Sequence, residues 1–585
     1  MNNTNNFSSN PSLNGIYAAS EENRLTEADK KILKEAYEFS QKAHAGQKRI
    51  SGEPYFNHPY QTALQLAKWG LDAQIIAAGL LHDVAEDTKT TMEQIKQRFG
   101  EETAFLVNGV TKLGKLKYRG ERAEEEKTKH RAENVRKMIL ATSEDLRVIF
   151  IKLADRLHNM KTLAALSPQK QKRISLETSE IYASLAYRLG MQNLAGELED
   201  LSFPYLYPEE YKWVKENLKS HYDDLENYLK KVKPVVEETL NKNNVNPVKI
   251  DSRAKRISSL YKKLLRLDMN LDQVYDLVAM RIIVNTIEEC YAAFGAIHQL
   301  WPPLPGKIKD YIALPKPNGY KSLHTTVFCL DNKPMEFQIR TVQMHEEAEN
   351  GIAAHWAYTQ AKTTKDYKES KPIFAEKKEL KWVQQLKNWQ KEIADSKEFL
   401  SSLKVDFFKD RVFAITPKGE VVDLPAGSTP VDFAYQIHSS IGDQCAGAKI
   451  NNKIVPLDYQ IQSGDMIEIL VQKNKKPSES WLGFVKTESA KRKIKSLIHK
   501  ESGLAKIKHR TELKITASDR IGLFKDIAAV ISRSHINIAE MNVPKTAHFP
   551  AIKIICDTSD KEKVEKLILK LKNVGGVKEI NYRLV

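Results

Sequence analysis

The chain has 585 residues, with 91 Lys and Arg against 75 Asp and Glu, a formal net charge of +16. That length suggests about four domains, and the positive balance favours anionic partners: nucleotides, RNA or an acidic surface. The four cysteines (Cys290, Cys329, Cys445, Cys556) are far apart and form no CxxC pair, which argues against a zinc ribbon or a disulfide framework.

The opening residues, "MNNTNNFSSNPSLNG", carry no apolar signal region. No apolar run approaches the roughly 18 residues of a membrane span. A reduced, cytoplasmic, multidomain protein is expected. Residues 1–24 read as a disordered tail. Residues 25–201 are helical in pattern, opening on a capping box of Thr26 with Asp29. Residues 202–365 begin with charged helices and turn to mixed α/β, with the β-like runs "MRIIV", "TTVFCL" and "MEFQIRT". A charged helical linker is predicted over 366–403. Short strands with glycine turns follow over 404–472, then a basic helical connector over 473–509. Residues 510–585 read β-α-β-β-α-β, which suits a small ferredoxin-like domain.

Two constellations carry chemistry. In "IIAAGLLHDVAEDT" an apolar helix runs into His82, Asp83, Glu86 and Asp87. Ionisable groups at the end of a buried segment must be paired or bound to a metal. Adjacent His82 and Asp83 diverge by about 100° on a regular helix, so both can serve one ion only at a helix end. His58, before a proline, and Asp155, on a second apolar helix, are the candidates to complete the set. Two His and two Asp suit Mn, Fe, Zn or Co. Glu86 and Asp87, one turn on, can orient and deprotonate a water.

The second constellation lies in the α/β region. "DSRAKRISSLYKKL" puts Arg253, Lys255 and Ser259 on a loop-to-helix segment suited to phosphate. Asp276 and Glu336 each adjoin a β-like run and could hold Mg²⁺. "GKIKDYIALPKPNGYKSLHTTV" between them is dense in cations around Tyr320, as a stacked purine beside its phosphates requires.

The strings "RISGEPYFNHP", "HDVAEDT" and "KLADRLHNMKT", in this order, resemble the HD-type hydrolase domain of the RelA/SpoT family of alarmone enzymes. Residues 249–358, ending in "HEEAENGIAAHWAY", resemble that family's synthetase signature. Residues 404–472 resemble a β-grasp TGS domain and the terminal segment an ACT module. The implied fold is multidomain: an all-α HD domain, a mixed-sheet, nucleotidyltransferase-like α/β domain, TGS, and a ferredoxin-like ACT domain.

The resemblance implies a bifunctional enzyme of the stringent response. It would transfer pyrophosphate from ATP to the 3′-hydroxyl of GDP or GTP, and hydrolyse (p)ppGpp with Mn²⁺. In the hydrolase, His58, His82, Asp83 and Asp155 would hold Mn²⁺, and Glu86 and Asp87 would handle the water. Arg49, Ser51, Asn159 and Thr162 would contact nucleotide; Ile50 departs from the lysine common there. In the synthetase, Arg253 and Arg281 would stack on adenine, and Lys255 and Ser259 would hold ATP phosphates. Tyr320 would stack on guanine, with Lys309, Lys316, Asn318 and His324 around the acceptor. Asp276 and Glu336 would bind Mg²⁺, and "KIKD" resembles the basic motif of bifunctional members. His438 sits where TGS domains meet tRNA. The extended helical and zinc-finger-like modules of long family members are missing between TGS and ACT, so ribosome or tRNA engagement is expected to be weak or altered. A homodimer is an admissible assembly. Two active sites in one chain would run a futile cycle unless antagonistic, and residues 202–250, TGS and ACT are the expected controls. The alternatives are a hydrolase-dominant member with a silent synthetase, and an RNA-associated regulator with vestigial catalytic domains.

Overall fold

The sequence "AQIIAAGLL" is apolar on every face but for Gln74, which suits a helix surrounded by protein. In the computed structural model it is the central helix of the N-terminal region. The structure describes residues 11–20, 25–114, 136, 145–271, 274, 277–316, 318–351, 353, 411–501, 511–518, 520–534, 536–542, 551–558 and 561–584. It divides into two units: Met1–Gly427 with Ile461–Ile467, and Ser428–Gln460 with Glu468–Val585.

The first unit opens with α1 (Leu13–Ala19) and α2 (Glu27–Ala43), the latter started by the expected reciprocal cap of Thr26 and Asp29. α3 (Asn57–Lys68), α4 (Ala73–Leu81), α5 (Val84–Asp87), α6 (Met92–Gly114) and α7 (Arg147–Lys161) follow. Asp72 caps α4 by accepting the Ile75 N–H at 2.8 Å. α2, α3 and α6 enclose α4, where Ile75, Ile76, Leu80 and Leu81 are fully buried. Residues 11–20 correct the tail reading. Ile16 is fully buried, the Tyr17 hydroxyl donates to the Lys30 carbonyl at 2.9 Å, and the Tyr37 hydroxyl donates to the Pro11 carbonyl at 2.9 Å. The remainder of 1–24 lies outside the described residues.

α8 (Pro168–Glu177), α9 (Ala183–Arg188), α10 (Gln192–Leu206) and the long α11 (Pro208–Lys242) lead to a five-stranded sheet. Its strands are β1 (Lys249–Ala254), β2 (Val278–Val284), β3 (Lys309–Asp310), β4 (Leu323–Phe328) and β5 (Pro334–Thr341), in the order β1-β2-β5-β4-β3. β2 and β5 are parallel and the other pairs antiparallel, giving the expected mixed sheet. α12 (Ile257–Leu264) follows β1, α13 (Ile287–Leu300) packs on β2, β4 and β5, and α14 (Val342–Asn350) follows β5. The predicted linker over 366–403 lies outside the described residues. The hairpin of β6 (Arg411–Ile415) and β7 (Val421–Pro425) completes this unit.

In the second unit α15 (Pro430–Ile437) and α16 (Ser439–Asp443) precede β8 (Cys445–Ile450), β9 (Lys453–Val455) and β10 (Ile467–Val471), which form a sheet in the order β10-β8-β9. The basic helix α17 (Glu488–Glu501) is more than a solvated connector. Trp481, Val485, Ala490 and Ile494 bury its apolar side against α15. The buried Asp432 carboxylate fastens the junction, accepting from the backbone N–H groups of Thr429 (2.8 Å) and Thr487 (2.7 Å) and from both their hydroxyls. Last come β11 (Thr511–Ala517), α18 (Leu523–Arg533), β12 (Ile538–Asn542), β13 (Ala551–Cys556), α19 (Lys561–Lys572) and β14 (Val577–Leu584). The strand order β12-β13-β11-β14 is the ferredoxin-like arrangement the β-α-β-β-α-β reading anticipated. All four cysteines are free and buried.

Candidate active sites

The first site forms where α4 ends. His82 caps that helix, and the chain reorients through Asp83 into α5. The adjacent pair therefore reaches one point at a helix junction, which a continuous helix would forbid. α3 contributes His58 and α7 contributes Asp155. One ligand atom from each of His58, His82 and Asp155 lies within 4.8 Å of the others, and all three residues are buried. His58 Nε2 is 3.3 Å from Asp155 Oδ1 and 3.4 Å from Asp83 Oδ2; His82 Nε2 is 3.2 Å from Asp83 Oδ1.

The donor chemistry fits a divalent cation. His82 Nδ1 is 2.7 Å from the Gly79 carbonyl, so Nδ1 carries the proton and Nε2 the lone pair. That Nε2 is buried without a hydrogen-bond partner. Burial lowers the His58 pKa against the pull of Asp155 and Asp83, keeping it neutral. Burial would raise Asp155, but Lys152 Nζ at 2.7 Å holds it well below the usual range. Two imidazole lone pairs thus converge on two carboxylates, an arrangement that a positive ion relieves.

Glu86 and Asp87 sit on α5 beside this cluster. Burial, then the Asp83 charge, raises the Glu86 pKa, which suits a proton acceptor working nearer neutrality. Tyr55 was not singled out from the sequence. Its hydroxyl lies 2.6 Å from Asp87 Oδ2 and 3.0 Å from Asp83 Oδ2. Arg49 donates to Asn159 Oδ1 at 2.8 Å, and Asn159 Nδ2 donates to Asp155. The Thr162 hydroxyl donates to the His158 carbonyl at 3.1 Å; Ser51 donates to Glu53 at 3.0 Å and stays exposed, as does Ile50.

The second site lies at the sheet. A cleft of about 430 Å³ is lined on one side by Arg253, Lys255, Ser259 and Glu336, and on the other by Tyr187 and Glu199 of the helical region. Arg253 lies in β1 rather than in a loop, opposite Ala279 of β2, and Ala279 pairs in turn with Glu336 of β5. Lys255 follows the strand, and Ser259 is in the first turn of α12. Arg281 is buried behind the cleft, 3.5 Å from Glu349 and 3.8 Å from Asp251, and is not among the lining residues. Asp276 lies outside the described residues.

A relay crosses the sheet from loop to strand. The Tyr320 hydroxyl is 2.8 Å from His324 Nε2, and His324 Nδ1 is 2.9 Å from Glu336 Oε1. The carboxylate can only accept, so Nδ1–H donates to it and Nε2 accepts from the tyrosine. Lys309 is the register partner of His324. The Lys316 ammonium lies 4.8 Å from the Tyr311 ring centroid and 5.2 Å from that of Tyr320. Burial, then Lys309, pushes its pKa down to about 8. Tyr311 is a second residue that the sequence reading missed. Asn318 Nδ2 is turned toward the Tyr187 carbonyl at 3.4 Å. In the second unit His438 Nδ1 accepts from the Ser440 N–H at 3.2 Å, at the start of α16.

These features define a protein with two separate clusters of ionisable side chains, one a buried His and Asp group among helices that could hold a metal ion, the other a cationic cleft on a mixed sheet. Residues 36–192 match the HD domain family, 252–363 the region found in RelA/SpoT proteins, 412–471 the TGS domain and 506–581 the ACT domain. The chain is 49% identical over 470 residues to a guanosine-3′,5′-bis(diphosphate) 3′-pyrophosphohydrolase of Aquifex aeolicus, covering 80% of this chain and 65% of that protein. It is 46% identical to a GTP pyrophosphokinase of Myxococcus xanthus (81% and 61%) and 43% identical to the bifunctional (p)ppGpp synthase/hydrolase SpoT of Escherichia coli (81% and 66%). The chain belongs to the RelA/SpoT family. It spans about three fifths to two thirds of the length of these relatives.

Proposed function

We propose that this chain both makes and degrades (p)ppGpp, as its relatives' names describe for them. The observation that carries the reading is the presence in one chain of two furnished centres: the buried His58, His82 and Asp155 cluster, and the cationic cleft with Glu336 at its wall.

In the hydrolytic reaction His58, His82, Asp83 and Asp155 would hold Mn²⁺, which would supply charge neutralisation for the polyphosphate and acidify a water. Glu86 would accept the water's proton, and the Tyr55 hydroxyl would fix the Asp87 carboxylate beside it. Arg49, Ser51, Asn159 and Thr162 would seat the nucleotide. In synthesis Arg253 would receive adenine, with Arg281 buried behind it rather than in the cleft, and Lys255 and Ser259 would hold the ATP phosphates. Tyr320 would face guanine, with Lys309, Lys316, Asn318 and His324 around the acceptor ribose. Glu336, with Asp276, would hold Mg²⁺ and draw the proton of the 3′-hydroxyl. A cytoplasmic location accords with the family; among the described residues no helix is long and apolar enough to cross a membrane. His438 would be the contact to tRNA, with ribosome stimulation weak, and a homodimer is the simplest assembly.

Two incubations test this: GDP, ATP and Mg²⁺ for synthesis, then ppGpp and Mn²⁺ for hydrolysis. Asp83→Ala should abolish Mn²⁺-dependent pyrophosphate release and leave synthesis standing. Glu336→Gln should do the reverse. Synthesis by that variant within about tenfold of the parent, roughly 1.4 kcal/mol, would exclude a central role for Glu336.

A further inference from the structure

Behind the metal cluster lies a chain of three buried or half-buried side chains. His58 Nδ1 is 2.8 Å from His158 Nδ1, and the same His158 nitrogen is 2.9 Å from Arg49 Nη1. His158 is buried, on the last turn of α7, three residues after Asp155. A guanidinium has donors only. The Arg49 N–H at this distance therefore requires a lone pair, not a hydrogen, on His158 Nδ1. His58 Nδ1, facing the same lone pair, must then carry its own hydrogen. A neutral His58 with its proton on Nδ1 presents the Nε2 lone pair to the cluster, between Asp83 and Asp155. The opposite tautomer would point an N–H at the ion's place and leave a lone pair facing a lone pair behind it.

We propose that His158 is a positioning residue through which Arg49 selects the metal-ligating tautomer of His58, so that the nucleotide-side arginine and the metal centre are energetically coupled. This rests on the reading of His58 as a metal ligand under the proposed hydrolase function. His82 has its own, independent tautomer lock in the Gly79 carbonyl, so only the His58 arm of the cluster depends on Arg49. Arg49 also donates to Asn159, which donates to Asp155. One guanidinium thus steadies two prospective ligands from α3 and α7 by separate routes. Loss of Arg49 should weaken metal binding even with no nucleotide present, which a residue that only contacts nucleotide would not do.

The test is Mn²⁺ affinity of the full chain by calorimetry, without nucleotide, for the parent, Arg49→Ala, His158→Leu and His158→Asn. Asn presents an acceptor oxygen near the place of Nδ1; Leu presents none. Removal of such an outer partner typically costs about 10–100-fold in metal affinity. His158→Leu should fall in that range, Arg49→Ala should weaken binding at least about threefold, and His158→Asn should stay within about threefold of the parent. Parental affinity in Arg49→Ala, or equal weakening in the Asn and Leu variants, overturns the proposal. If His158→Leu does not fold, the other two variants decide. Failure of the parent chain itself to bind Mn²⁺ would instead overturn the metal reading beneath it.

Discussion

Gly351 is the position at which a single methyl group should separate the helical region from the sheet. It ends α14 at φ 59° and ψ −138°, a conformation that L side chains rarely adopt. Its Cα lies against Gly190, which itself has φ +75°. A Cβ on Gly351 would run into the Leu189 carbonyl oxygen, 2.5 Å from the Gly190 carbonyl carbon and 2.6 Å from the Met191 nitrogen. These are backbone atoms, so no rotamer change relieves the clash; the segments must part by about 1 Å to reach ordinary contact. Strain at the left-handed position adds about 1–3 kcal/mol, and loosened packing adds roughly another 1 kcal/mol. Gly351→Ala should therefore cost about 2–4 kcal/mol in the docking of 187–200 on the sheet region. That is roughly a 30- to 1,000-fold rise in local opening. Hydrogen exchange of amides in 187–200 and 253–262 reads it directly. Gly419→Ala is the control: it shares the positive φ, at +82°, but its Cβ would meet nothing within 4 Å. Equal exchange in the two variants would refute the clash argument.

Two further predictions concern charge. Lys316, held near pH 8 by burial and Lys309, and facing Glu336, Tyr311 and Tyr320, should bind an anionic acceptor best while protonated. The KM for GDP should accordingly rise as pH climbs through about 8, and Lys316→Arg, always charged, should flatten that rise; a parent profile flat from about pH 7 to 9.5 would contradict it. Asp432→Ala strands the N–H and hydroxyl donors of Thr429 and Thr487 in the interior; it should cost about 3–5 kcal/mol in the second unit's unfolding transition, and a loss below about 1 kcal/mol would show that water replaces the carboxylate.

The convergence of His58, His82, Asp83 and Asp155 was legible because its anomaly is local: charges placed at the end of an apolar helix have few explanations. Glu336 was legible for a similar reason, an acid inside an alternating strand. His158 and Tyr55 were harder. Asp155, His158, Asn159 and Thr162 fall at i, i+3, i+4 and i+7, one face of α7, and that spacing was the available signal. That His158 serves as acceptor for two donors depends on Arg49, 109 residues earlier in the chain, which spacing alone does not reveal. The helix over 13–19 escaped because seven residues cannot hold a helix in water; Ile16 is buried only because α2 and α3 provide the pocket. The apolar face of α17 was visible in its sequence, but the surface that covers it depends on Asp432, some 55 residues away.

The two reactions proposed here undo each other, and the first unit contains a contact able to weigh one against the other. Asp200, on α10 of the helical region, accepts from the Ser258 N–H at 3.0 Å and from its hydroxyl at 2.6 Å, in the first turn of α12. Arg256 reaches the same carboxylate at 3.3 Å, and Lys262 pairs with the neighbouring Glu199 at 2.7 Å. A helix start with flanking cations is where a polyphosphate would bind. Here a carboxylate from the helical region already occupies it. An ATP phosphate directed to Lys255 and Ser259 would therefore arrive beside a segment whose Arg256 and Ser258 are already held by the Asp200 carboxylate of α10. By linkage, a nucleotide that binds better with α10 displaced shifts the helical region as well, and only by the difference between its affinities for the two arrangements. Coupling between the centres would then run through one short segment, Lys255 to Ser259, part of which α10 holds and part of which faces the nucleotide, without requiring the two sites to touch.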